Sequence, residues 1–205
     1  MDNKALFNIS YGIFLLATKD GEKLNGCITN TCMQVANNPT RIAMSVINNN
    51  LTCEMLKKSK VFALSVLDKR VTFDTIKHFG LQSGRDVDKF KDVSYVKDLN
   101  GVPYLNDCSC SVFSCHVVSE TDLGSHTMFI AEFDDAKVLS TEEPVTYSYY
   151  QNNIKPKPET IKKDRKIIGW RCKICNYVYD GPDIPADYLC PLCGHPVSDF
   201  EPIYE

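Results

Sequence analysis

Apolar residues along this chain gather in short runs separated by polar turns. The run YGIFLLAT (11–18) is apolar and rich in strand formers, and KDGEKLNG after it carries turn chemistry. RIAMSVI (41–47) predicts a second strand, and VFALSVL (61–67), almost continuously apolar, predicts a central one. Two long strands are expected at CSCSVFSCHVVSE (108–120) and HTMFIAEFDDAKVLS (126–140), bridged by TDLGS. Helical spacing occurs twice. Asn50, Leu51 and Thr52 open LTCEMLKKSK, whose lysines fall in the last turn, where positive charge complements the helix dipole. VTFDTIKHFG places Phe73, Ile76 and Phe79 on one helical face, with Gly80 as the stop. Several strands with a few short helices predict a mainly β fold, a β-barrel with short covering helices.

The pattern changes at residue 151. QNNIKPKPETIKKDRK is polar, carries two prolines and lacks apolar periodicity, so residues 152–166 read as a semi-extended linker with a reach of ~20 Å. Apolar residues resume at Ile167. The expected organisation is a larger domain over 1–151, the linker, and a small domain over 167–205, with no internal repeat.

Composition narrows the function. The 205 residues are 43 % hydrophobic and 24 % charged, as in ordinary globular proteins, with a net charge of -3. No basic cluster is interleaved with aromatics, which argues against a nucleic-acid partner. No apolar run approaches the ~18 residues of a membrane span, and MDNKALFNISYGIFLLATKDG lacks the basic start and cleavage site of a signal peptide. A cytoplasmic protein is expected. There the ten cysteines stay reduced, so a disulfide framework is not. Cys27, Cys32, Cys53, Cys108, Cys110 and Cys115 lack ligand spacing and read as small apolar core or strand residues.

Cys172, Cys175, Cys190 and Cys193 are different. They form two Cys-x-x-Cys pairs, each able to fold into a knuckle that aims both sulfurs at one point. Tetrahedral thiolate sulfur suits zinc and iron alike. Asn176 and Gly194 follow the second cysteine of each pair. Both types tolerate positive φ, which turns backbone N–H groups toward the sulfurs and stabilises a reduced iron site. Trp170, Tyr177, Tyr179 and Tyr188 surround the knuckles in sequence and are expected to wall the metal from water.

WRCKICNYVYDG and LCPLCGHPVSDFE resemble a rubredoxin, the one-iron electron carrier, over about residues 167–203. The segment between the pairs is shorter than in a stand-alone rubredoxin and nearer the rubredoxin-like tail of rubrerythrins. The resemblance implies one iron in the four-cysteine site, with zinc the lesser alternative, and an accessible metal.

The larger domain offers no G-x-G-x-x-G after a strand and no Walker loop. Its polar run NGCITNTCMQ (25–34) reads either as a turn-rich strand end or as a cradle for a phosphate or an amide-edged ring. In order, NGCITNTCMQVANNPTRIAMSV, NNNLTCEML, FALSVL, FGLQSGRDVDKF, GVPYL and LGSHTMFIAEFDDAKVL resemble the flavin reductase-like split-barrel family, which binds FMN, over about residues 5–150. The resemblance implies that Asn25, Gly26 and Cys27 border the isoalloxazine, and that Thr29, Asn30, Thr31 and Cys32 approach the ribityl chain and phosphate. Asn48, Asn49, Asn50 and Thr52 would form a second phosphate loop at the helix start, where free N–H groups face an anion. Ser83, Gly84 and Arg85 become candidates for nucleotide or ribityl contact, and His126 for the catalytic position on the substrate face. His78 and His116 read as structural, and His195 as a surface residue.

Together the two resemblances match the high-molecular-weight rubredoxins, in which a flavin–rubredoxin fusion feeds a flavo-diiron oxygen or nitric oxide reductase. They imply an FMN-dependent NAD(P)H oxidoreductase, or one fed by an upstream reductase. It would be a homodimer passing electrons through FMN to iron and on to a redox protein. Two rivals are a zinc ribbon on a barrel serving assembly, and a free-flavin or ferric reductase.

Overall fold

The structure, a computed structural model, describes residue 5 and residues 8–157 and 166–204. Most of the expected linker, residues 158–165, lies outside the described residues. The chain forms two compact units, residues 9–155 and a unit containing the tail from residue 156.

The first unit is built on seven antiparallel strands. They are β1 (Phe14–Asp20), β2 (Lys23–Thr29), β3 (Cys32–Asn37), β4 (Thr40–Ile47), β5 (Val61–Leu67), and the long β8 (Ser109–Asp122) and β9 (His126–Val138), in the order β2-β1-β5-β8-β9-β4-β3. A small pair, β6 (Val96–Lys97) and β7 (Pro103–Tyr104), lies apart. The two edge strands β2 and β3 are neighbours in the chain, joined only by Asn30 and Thr31, so both free edges arise at one corner.

Apolar runs in β1 and β5 are unbroken because both faces of these strands are covered. Leu16, Phe62, Leu64, Cys115 and Phe129 pack into one cluster with Cys53 and Leu56 of helix α1 (Leu51–Ser59). Leu15, Ala17, Ala63 and Val112 pack into the other with Ile76 and Phe79 of helix α2 (Phe73–Gly80). Phe62 and Phe129 are fully buried, and truncation of either to alanine carries a cost of ~3–5 kcal/mol.

α1 begins where expected. Asn50 caps it by accepting from the Thr52 amide at 3.0 Å, and Lys57 and Lys58 occupy its last turn. Lys60 then turns left-handed with φ 58°. α2 differs in one respect: Gly80 does not stop it. Leu81 follows at φ -110°, and Gly80 is small because a Cβ there would lie 3.3 Å from Ile28 Cβ on β2. The expected turn KDGEKLNG is also shorter than its composition suggests. Only Gly21 and Glu22 turn, and Lys23 already pairs with Asp20.

The barrel unit keeps the chain to Lys155. Helix α3 (Tyr147–Tyr149) leads into a π turn (Tyr150–Ile154) that packs Tyr150 and Ile154 on the core. In the small unit, β10 (Ile167–Cys172), β11 (Val178–Asp180) and β12 (Phe200–Tyr204) form a sheet ordered β11-β10-β12. A short 3-10 turn (Val197–Asp199) precedes β12. Among the described residues, no helix is long and apolar enough to cross a membrane.

Candidate metal centre and flavin site

β10 delivers Cys172 at its last residue, and the chain then folds back on itself. Asn176, at φ 62°, returns its amide to the Cys172 carbonyl at 2.8 Å, and the Cys172 amide donates to the Tyr177 carbonyl at 2.8 Å. The second knuckle repeats this bond for bond. Gly194, at φ 71°, donates to the Cys190 carbonyl at 2.8 Å, and the Cys190 amide to the His195 carbonyl at 2.8 Å. The amide of Tyr177 also points at the Cys175 sulfur and that of His195 at the Cys193 sulfur, which is the arrangement expected for stabilising negative charge on sulfur.

The four sulfurs all lie within 4.8 Å of one another, with Cys172 and Cys193 at 3.6 Å and Cys175 and Cys190 at 3.3 Å. A tetrahedral site with metal–sulfur bonds of ~2.3 Å has edges of ~3.8 Å, so the donor set fits one thiolate-bound metal. The sulfurs share a limited capacity for charge. A hydrogen bond from Cys193 brings Cys172 down to about 5, while burial pushes Cys175 up to about 11 and the bond to Cys172 pushes Cys193 up. A cation at the centre removes this competition by ionising all four.

Tyr188 packs edge-on against Tyr179 (4.8 Å) and Phe200 (5.8 Å), and its hydroxyl meets that of Tyr177 at 3.1 Å. Trp170 instead donates its indole N–H to the Pro182 carbonyl at 3.0 Å and fixes the loop between the pairs. Three of the cysteines are buried and Cys175 is half-buried. His195 is half-buried, with Nδ1 3.2 Å from the Cys193 carbonyl.

In the barrel unit most of the residues singled out gather where β2, the start of α1 and the loop after α2 meet. Asn25, 1 % exposed, donates to the Thr52 hydroxyl at 2.9 Å. Cys27 is pushed up by burial, against which hydrogen bonds with Thr52 and Asn50 act. Gly84 presses on Asn25 so closely that a Cβ there would lie 2.1 Å from its Oδ1. Ser83 Oγ accepts from the Arg85 amide at 3.1 Å, and the Arg85 guanidinium reaches Glu54 in the first turn of α1 at 2.9 Å.

A second group holds the β2–β3 corner. Thr29 and Thr31 hydroxyls are 3.2 Å apart, and Thr31 donates to the Ser45 carbonyl at 2.9 Å on β4. Asn30 is half-buried between them and Asn49 is exposed just before the cap of α1. Asn48 spends both amide groups on the β8–β9 turn. Its nitrogen donates to Gly124 O (2.8 Å) and Asp122 (3.2 Å), and its oxygen accepts from Thr127 (2.6 Å). Asn48 thereby fixes the turn carrying His126, whose Nδ1 lies 2.8 Å from Ser125 Oγ.

Cys32 stands apart from both groups. It lines an apolar cavity of about 720 Å³ with Phe14, Ile42, Leu64, Phe113 and Phe133. Asn25, Thr52, Thr29, Thr31 and the cap of α1 make a donor set of neutral hydroxyls, amides and N–H groups. Glu54, in the first turn of α1, pairs with Arg85 at 2.9 Å and lies 3.9 Å from Lys58. That chemistry fits a phosphorylated, amide-edged ring.

One buried residue beside these groups escaped the sequence reading. Lys89 is 2 % exposed and donates to the carbonyls of Gly26 (2.9 Å) and Phe79 (2.7 Å). A lysine in the polar loop SGRDVDKF reads as solvated, and only the folded loop, lying against β2, buries it.

Comparison with known proteins finds a match for each part of the chain. Residues 6–157 match the flavin reductase like domain, and residues 170–201 match the rubrerythrin, rubredoxin-like domain. The chain is 34 % identical to the high molecular weight rubredoxin of Moorella thermoacetica, over 99 % of this chain and 100 % of that one. It is 34 % identical to a ferric-chelate reductase (NAD(P)H) of Archaeoglobus fulgidus, over 73 % of this chain and 89 % of that one. A solved NADH:FAD oxidoreductase of Streptomyces globisporus superposes with a TM-score of 0.63 at 20 % identity, over 69 % of this chain and 84 % of that one, a likeness of fold.

Proposed function

The chain belongs to the flavin reductase-like family and carries a rubredoxin-like domain after the barrel, and from that premise we propose that it relays electrons from NAD(P)H, or from an upstream reductase, to a soluble redox protein. A flavin reductase-like domain together with a rubredoxin-like domain supports flavin-linked electron transfer. The finer reading is FMN in the barrel, one iron at Cys172, Cys175, Cys190 and Cys193, and a flavo-diiron oxygen or nitric oxide reductase as acceptor in the cytoplasm.

The observation that carries this reading is the pairing, in one chain, of a flavin reductase-like barrel with four sulfurs set within 4.8 Å of one another. Bound flavin would supply the exchange between a two-electron hydride and single electrons, which an iron–thiolate centre handles one at a time. The chain's own residues hold, orient and shield. Asn25, locked to Thr52, presents a fixed amide edge. The cap of α1 and the Thr29–Thr31 corner offer N–H and hydroxyl donors to a phosphate. Arg85 stays anchored over α1 by Glu54. His126, held on its turn by Asn48, stands as a candidate for contact with the nicotinamide or the exposed ring face. In the tail, the two positive-φ knuckles aim N–H groups at sulfur and favour the reduced metal.

A homodimer is part of the proposal. The apolar cavity beside Cys32, with Met33 59 % and Val35 48 % exposed on edge strand β3, is the surface a second copy would cover. An anaerobic NADH titration of the protein as purified, followed by absorbance with metal analysis, tests the relay. The expected result is bound FMN and iron, with flavin and iron bleaching in turn. Stoichiometric zinc, or a barrel that takes up no flavin, overturns it. The match to a ferric-chelate reductase favours one alternative, in which flavin is a diffusing substrate. Loss of flavin on gel filtration would favour that alternative.

A further inference from the structure

We propose that Lys89 is the fixed positive charge of the flavin site, a positioning residue that acts from behind Gly26 and Cys27 to favour the reduced, negatively charged form of the ring. This rests on the flavin reading above. Lys89 is almost wholly buried, and both of its acceptors, the Gly26 and Phe79 carbonyls, are neutral. Among the described residues no carboxylate pairs with it. The ionisable group that acts on its charge is the Cys27 thiol, which burial keeps protonated.

A buried ammonium without a counter-charge is costly, and burial pulls the Lys89 pKa down accordingly. The lysine stem alone does not explain its retention, since methionine would fill similar apolar space. The location does. Gly26 and Cys27 adjoin Asn25, which bonds to Thr52, so Lys89, bonded to the Gly26 carbonyl, stands one residue layer behind the donor set. The charges on α1 nearest that wall are paired, Arg85 with Glu54 at 2.9 Å and Lys58 with Asp20 at 3.4 Å. Lys89 adds a positive charge that no carboxylate of the described residues pairs, in buried surroundings that screen it poorly.

A hydride brings two electrons and one proton to the ring, which then carries one added negative charge when no second proton follows. A buried cation favours that state over the oxidised one. Differential affinity of this kind is what shifts an equilibrium between two states.

The test compares flavin affinity in both redox states and the midpoint potential, by spectroelectrochemistry, for the full chain and Lys89→Met. The variant is expected to lose about tenfold more affinity for reduced than for oxidised FMN, which lowers the two-electron potential by about 30 mV. Lys89→Arg, which keeps the charge, should retain most of the difference. A folded, flavin-loaded Lys89→Met with the parental potential overturns the inference. Should the variants fail to fold, the unaltered protein decides: reduced FMN must bind more tightly than oxidised FMN, and the reverse order overturns it. A chain that binds no flavin in either state refutes the flavin reading itself, a result distinct from all of these.

Discussion

Asn176 and Gly194 are equivalent residues of two knuckles with the same backbone hydrogen bonds. Each adopts positive φ, 62° and 71°, and each returns its amide to the carbonyl of the first cysteine of its pair at 2.8 Å. The pairing dictates which substitutions the metal centre accepts. A left-handed conformation costs an L-residue with a Cβ about 1–2 kcal/mol, less for asparagine and nothing for glycine. Asn176→Gly should leave the tail as stable as before or slightly more so. Gly194→Val should lower metal retention, read as faster loss of metal to a chelator. No difference between the two variants would show that the knuckle backbone does not control the site.

The tail has a small core of its own, with Cys172, Cys190, Cys193 and Phe200 buried. A sheet so short gains little from apolar burial, so metal binding supplies much of its folding energy. Cys190→Ser should abolish the iron absorbance and loosen the tail, while the barrel keeps its flavin and its own melting transition. Calorimetry with flavin quantitation checks this. Loss of flavin together with iron would contradict the independence of the two sites.

Gly84 is set by contact rather than by backbone angle. A methyl group there would lie 2.1 Å from Asn25 Oδ1, so Gly84→Ala must move Asn25 off Thr52. Leaving a buried amide and hydroxyl mispaired costs about 1–3 kcal/mol. The expected outcome is lower thermal stability and at least tenfold weaker FMN binding by fluorescence titration. Gly21, which has open space around it, provides the control: Gly21→Asn should leave FMN binding unchanged.

Much of this was legible in sequence because it depends on local pattern. The two Cys-x-x-Cys pairs made the metal centre legible, since cysteines with two residues between them in each pair have few other ways to bring four sulfurs together. Asn50 was readable as a helix start because its side chain acts on residues next to it. Contacts between distant segments were not legible. Gly80 looked like a helix stop, and its true constraint is Ile28 on another strand. Lys89 sat in a polar loop and gave no sign of burial, which depends on residues 10 and 63 positions away. Cys32 belongs to the run expected to approach a cofactor, and at the start of β3 it lines the apolar cavity, a placement that depends on strands far away in the chain.

Asp68, directly after β5, is fully buried and forms a two-pronged ion pair with Arg70. Its Oδ1 accepts from the Arg70 amide and Nε, both at 3.0 Å, and its Oδ2 from Arg70 Nη2 at 2.6 Å and Ser140 at 3.4 Å. Burial alone would raise its pKa. The hydrogen bonds and charge of Arg70 outweigh burial and hold it below the ordinary carboxylate range. A carboxyl whose pKa is depressed by folding stabilises the folded state fully above its unfolded value of ~3.9, and that stability is lost as pH falls through the folded value. Arg70 is 41 % exposed and can turn to water, so Asp68→Asn should cost about 1–3 kcal/mol at neutral pH rather than the larger penalty of a sealed pair. Exposed pairs such as Lys60–Glu120 contribute less than about 1 kcal/mol and set the background. Urea unfolding of the parent and Asp68→Asn should therefore show a gap in midpoint at neutral pH that narrows in acid. A gap that stays constant into acid would mean that Asp68 acts through shape and neutral hydrogen bonding, not through its charge.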